Sequence, residues 1–87
     1  MNSIILDILL YIIRNEEFIN DDYIISNNFK IRNVDNNVYQ IIYKSNIILV
    51  FWLDSLTMLS RKDSAYNKYI LEFKDLLFNK FIAKNYF

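Results

Sequence analysis

Ile47-Ile48-Leu49-Val50-Phe51-Trp52-Leu53 is the stretch on which the fold turns. It is an unbroken apolar run, rich in β-branched and aromatic side chains, with Ser45-Asn46 before it and Asp54-Ser55 after it. Its length suits a strand better than a helix, and its composition agrees. The lack of polar alternation predicts burial on both faces and the central place in a sheet. Trp52 is expected in the core.

On the N-terminal side the pattern changes to strict alternation. Across residues 38–44, Tyr39, Ile41 and Tyr43 share one face while Val38, Gln40, Ile42 and Lys44 share the other. Asp35-Asn36-Asn37 reads as a hairpin turn, because Asn and Asp tolerate positive φ in a chain without glycine. Residues 23–34 form a further half-buried strand pattern through Ile25, Phe29 and Ile31, with Asn27-Asn28 as a bulge or turn. On the other side of the run, residues 56–59 read as a short fourth strand or as the passage into a helix.

Both ends of the chain read as helices. Over residues 2–15 Ser3 is a candidate N-cap, and apolar residues fall on nearly every side. Over residues 64–84 apolar residues recur every three or four positions at Tyr66, Tyr69, Ile70, Phe73, Leu76, Leu77 and Phe81. Ser60 or Asp63 is the candidate cap. The fold predicted for residues 1–87 is one small globular α+β domain. It has an N-terminal helix, a three- or four-stranded antiparallel sheet (a meander) and a C-terminal helix, with the helices on one face of the sheet.

Composition narrows the chemistry more than it identifies it. The chain has 87 residues, 54% of them hydrophobic and 17% aromatic, and no Gly, Pro, Cys or His. Without Cys and His there is no disulfide, thiolate nucleophile or imidazole acid/base, and the usual zinc ligands are missing. Without Gly there is no phosphate-cradling loop of the familiar kind. Ile, Asn, Lys, Tyr and Phe make up 48 of the 87 residues, and all five have AT-rich codons, which points to an AT-rich genome. The apolar stretch at residues 4–13 is too short to cross a bilayer, which takes about 20 residues, so no transmembrane segment is expected and the expected location is the cytoplasm.

Charge is balanced in total and uneven along the chain. Ten basic and ten acidic residues cancel, but residues 1–29 hold five acids against the single base Arg14. A chain with no net charge offers nucleic acid little long-range attraction, so direct nucleic-acid binding is not expected. Adjacent carboxylates such as Glu16-Glu17 and Asp21-Asp22 point apart in a helix or a strand, so neither pair forms a dyad or a metal site. No catalytic residue, metal or cofactor is expected.

The resulting expectation is a small non-catalytic protein that binds another protein. Its fuller form is an inhibitor or regulator carried by a phage or other mobile element, with a host nuclease or defence complex, a nucleic-acid-binding enzyme, as partner. The alternatives are a nucleic-acid-binding regulator, using Tyr39 and Tyr43 with Lys30, Arg32 and Lys44, and a small subunit of a membrane complex. The expected contact residues are Glu16, Glu17, Asp21 and Asp22 for charge, and Tyr23, Tyr39 and Tyr43 for anchoring burial. A homodimer is expected as well, with the N-terminal helix as its contact, because so apolar a small chain has much surface to cover.

Overall fold

The computed structural model describes residues 3–60 and 64–82. The chain forms α1 (Ser3–Asn15), then five strands, β1 (Asp22–Ile24), β2 (Phe29–Asp35), β3 (Val38–Tyr43), β4 (Asn46–Trp52) and β5 (Thr57–Ser60), and then α2 (Asn67–Leu77). A 3-10 turn at Ser64–Tyr66 leads into α2, and a π-turn at Phe78–Ile82 follows it. The sheet is an antiparallel meander in the order β1-β2-β3-β4-β5. This is the expected α+β architecture with five strands instead of three or four.

The extra strand comes from the N-terminal half of the meander. The 23–34 pattern is two strands, because the chain reverses through residues 25–28 and Ile24 pairs with Lys30. The second candidate, at residues 56–59, is a strand shifted by one residue. Tight reversals in a glycine-free chain fall to other residues. Asn20, Asp21, Asn37, Lys44 and Leu56 all have positive φ, between 51° and 68°. Asn20-Asp21 sits between the paired residues Ile19 and Asp22, and positive φ at both central positions is what a type I′ hairpin turn requires.

Cross-strand partners share a face of a sheet, so the register sorts the side chains. One face carries Tyr23, Phe29, Ile31, Tyr39, Ile41, Tyr43, Leu49 and Phe51. Both helices cover it. Ile5, Ile8, Leu9 and Ile12 of α1 and Ile70, Phe73, Leu77 and Phe81 from the C-terminal helical segment join Phe29, Ile31, Ile41, Leu49 and Phe51 in one buried cluster. The 3.6-residue stripe on α2 is therefore spent on the core, and Phe29 meets Phe73 with ring centroids 5.8 Å apart.

Several expectations change. The apolar run does form β4, but β3 lies between it and β2, so β3 holds the centre of the sheet. β4 is also not covered on both faces. Ile48, Leu49 and Phe51 are buried, whereas Ile47 is exposed and Val50 and Trp52 are half-buried. A bulge at Ile48, where the β3 pairing steps from Ile41–Leu49 to Ile42–Ile47, turns both Ile48 and Leu49 into the core. The C-terminal helix is also not uniform over 64–84. Its first turn is 3-10, with no side-chain cap at Tyr66, and it loosens into the π-turn after Leu77. Ser60 ends β5 and so is not its cap. Asp63 lies outside the described residues, and Ser3 is the first helical residue.

Candidate interaction surface

Among the described residues no helix lies over the other face of the sheet. Three rows cross its strands. Ile24, Lys30, Ile42 and Ile47 form one row, and Asp22, Arg32, Gln40, Val50 and Leu59 form the next. Asp35, Val38, Trp52 and Thr57 form the third. The two halves of this face differ. On the β1–β2 side the Arg32 guanidinium grips Asp22 with both ends, Nε to Oδ1 at 2.8 Å and Nη2 to Oδ2 at 3.1 Å. The Lys30 ammonium lies 3.4 Å from the same carboxylate. On the β3–β5 side the residues are Val38, Ile42, Ile47, Val50, Trp52 and Leu59, with only Gln40 and Thr57 polar among the paired positions.

Part of that apolar surface reaches water: Ile47 is 40% exposed and Leu59 55%, Val38, Val50 and Trp52 are half-buried, and Ile42 is buried between its neighbours. On the β1–β2 side Ile24 is exposed as well. Scattered exposed aliphatic residues are ordinary, but a contiguous apolar face on one layer of a small protein is an interaction surface in search of cover. The helix α1 is the contrast. Ile5, Ile8, Leu9 and Ile12 are buried within the chain, and Leu6, Leu10, Tyr11 and Ile13 pack against the core. Among the described residues the apolar side chains of α1 are buried or half-buried, whereas exposed ones lie on the sheet at Ile24, Ile47 and Leu59 and on the C-terminal helical segment at Leu71 and Phe78.

The residues expected to make contact are separated by the fold. Glu17 and Asp21 are exposed. Glu16 is half-buried, and its Oε1 accepts a hydrogen bond from the Tyr23 hydroxyl at 3.2 Å. Asp22 is held by Arg32 and Lys30. The hydrogen bonds from Arg32, helped by Lys30 and opposed by partial burial, keep its carboxyl below the usual carboxylate range. Its charge is answered inside the chain, where the sequence reading had it facing a partner. Tyr23 and Tyr39 both pack on Phe18, with centroids 5.8 Å away in each case, and burial pushes the Tyr39 phenol upward. The tyrosines lie on the helix-covered face, so they edge the core instead of presenting a ring surface.

The stacking platform considered from sequence does not form, because its parts lie on opposite faces. Tyr39 and Tyr43 are under the helices, and Lys30 and Arg32 are on the uncovered side. A different aromatic group does assemble. Tyr43 stacks on Tyr69 with centroids 4.1 Å apart and rings 18° from parallel, and Tyr66 meets Tyr69 edge-on at 6.1 Å. These three line an open groove with Lys44, Asn46, Ala65 and Lys68, so the described lining holds two cations and no carboxylate. The i, i+3 spacing of Tyr66 and Tyr69 was legible in the sequence, but their meeting with Tyr43 was not. Among the described residues no group of three or more acidic, His or Cys side chains is placed to hold a metal, and no helix is long and apolar enough to cross a membrane.

A scan against protein-family models, a search of curated proteins and a search of solved structures each returned no match.

Proposed function

We propose that this is a small non-catalytic protein that works by binding another protein, and that the uncovered face of its sheet is the anchoring contact. The observation that carries the reading is the apolar β3–β5 half of that face, where Val50 and Trp52 are flanked by exposed Ile47 and Leu59. The occupant is a protein surface that is itself apolar, since burial of such groups is what drives association. The polar β1–β2 half would form the rim.

The fuller reading is an inhibitor or regulator encoded by a phage or mobile element, acting inside a host cell on a nuclease or defence complex. What supports it is the AT-rich residue usage and the pair of exposed acids, Glu17 and Asp21. Those acids would meet a basic, nucleic-acid-binding surface on the partner and mainly speed association. The test is recovery of partners from the native host with the wild type, with Leu59→Glu and with the double reversal Glu17→Lys, Asp21→Lys. Loss of a specific partner with Leu59→Glu, and slower, less salt-sensitive binding with the double reversal, are the expected results. Equal recovery with Leu59→Glu would refute the sheet-face contact, and multiple turnovers of any substrate would refute the non-catalytic reading.

One observation favours a second reading. The groove of Tyr43, Tyr66 and Tyr69 with Lys44 and Lys68 is locally cationic in a chain with no net charge. That combination suits the phosphates of a single-stranded nucleic acid. A gel shift that is weakened by salt and abolished by Lys44→Gln with Lys68→Gln would favour it. The tyrosine ring faces are largely taken up by one another, so the protein-contact reading stands first.

A further inference from the structure

We infer that the occupant of the uncovered sheet face is a second copy of this chain, packed sheet on sheet about a two-fold axis that runs across the strands. This inference rests on the protein-contact reading and names a second copy as the protein on that face, which leaves the exposed acids Glu17 and Asp21 for a different partner.

A face can pair with itself only if the symmetry brings like to like. An axis parallel to the strands would lay the charged β1–β2 half of one copy on the apolar β4–β5 half of the other. That would strip water from Lys30 and Arg32 against aliphatic carbon, a costly arrangement. An axis across the strands, along the row of Asp22, Arg32, Gln40, Val50 and Leu59, lays apolar half on apolar half. It brings the row of Ile42 and Ile47 over the partner copy's row of Val38 and Trp52. At the charged end this axis sets Arg32 across from the other copy's Arg32 and Asp22 across from its Asp22, and each carboxylate lies diagonal to the other copy's guanidinium, so opposite charges meet on the diagonal. Such a contact is isologous, the usual form for a homodimer, and aligned sheets pack in this way about 10 Å apart.

The area is consistent with a reversible dimer. Each strand residue covers about 16 Å² of sheet. The 27 residues of the five strands therefore give about 430 Å² in projection for each copy. Two copies bury roughly 900 Å² before side-chain relief is added, which is below the range of stable specific interfaces and in that of weak, transient ones. Monomer and dimer should therefore interchange as concentration is varied.

The chain has no cysteine, so single cysteines can report the geometry. Sedimentation velocity of the wild type from about 1 μM to about 1 mM should show a rising dimer fraction, a span that brackets weak interfaces. Val50→Lys should weaken dimerisation by at least about tenfold, the cost of leaving a buried cation without a partner. Leu59→Glu, at the exposed end of the same row, serves if Val50→Lys fails to fold, as judged by its circular dichroism. Gln40→Cys, next to the axis, should crosslink to itself with a short bismaleimide, and Glu72→Cys on the exposed side of α2 should not. A dimer that both charge variants leave intact, or one that crosslinks through Glu72→Cys and not through Gln40→Cys, would overturn the arrangement. A wild type that stays monomeric throughout would overturn the second copy. In that case an apolar fluorescent dye separates the two readings. Dye uptake that Leu59→Glu abolishes leaves the sheet face as a docking surface for a different protein, and no uptake removes that surface as well.

Discussion

Phe73→Ala tests whether the covered face of the sheet is the stabilising core. Phe73 is fully buried, lies between Ile70 and Leu77 on the buried stripe of α2, and faces Phe29 of β2. A buried phenylalanine removes about 150 Å² or more from water, worth roughly 4 kcal/mol at 25 cal/mol per Å². The cavity left behind by a ring adds to the loss, and the whole falls in the measured range of about 3–5 kcal/mol. Unfolding an 87-residue chain gains about 0.18 kcal/mol/K of entropy, so Tm should fall by about 17–28 °C. The assay is thermal melting by circular dichroism, with urea melts to check that the slope is unchanged, at one fixed protein concentration because self-association would raise Tm. Leu71→Ala is the control. Leu71 neighbours Phe73 on the same helix but is 61% exposed, so its loss should change stability by less than about 0.5 kcal/mol. A Phe73→Ala protein that melts within about 3 °C of the wild type, or a Leu71→Ala protein equally damaged, would mean that α2 does not pack on the sheet as described.

The turns and the ion cluster give two further expectations. Leu56 holds φ at 53° in an exposed turn, a region that disfavours leucine. Leu56→Asn should therefore stabilise by about 0.5–1 kcal/mol in a urea melt, and an unchanged or lowered midpoint would show that the backbone there is unstrained. Asp22, with its carboxyl held below the ordinary value chiefly by Arg32, contributes stability that is fully present above its unfolded pKa of about 3.9 and is lost as pH falls through its folded value. The stability gap between wild type and Asp22→Asn should thus shrink between about pH 6 and about pH 2 in urea melts at stepped pH. A gap that does not change with pH would mean that the pairing with Arg32 contributes nothing.

Some of this protein is written in local pattern and some is not. The amphipathic period of α2, the alternation of Tyr39, Ile41 and Tyr43 against Val38, Gln40 and Ile42, and the Asp35-Asn36-Asn37 turn are properties of neighbouring residues. They are legible because backbone geometry repeats every 3.6 or every 2 residues. The meander follows from them, since short turns leave successive strands little choice but to pair. What the pattern cannot carry is what lies across from a face. The run Ile47-Ile48-Leu49-Val50-Phe51-Trp52-Leu53 reads the same whether its second side meets a helix, another chain or water, and only the placement of both helices on one side left Val50 and Trp52 uncovered. The same holds for Asp22. In sequence it is half of an acidic pair, but the hairpin brings Arg32, ten residues away, opposite it and answers its charge. Tyr43, Tyr66 and Tyr69 likewise come from a strand and a helical segment that meet only after the core has closed. Periodicity is a short-range property of the chain, whereas exposure and charge pairing are set by contacts between residues far apart along it.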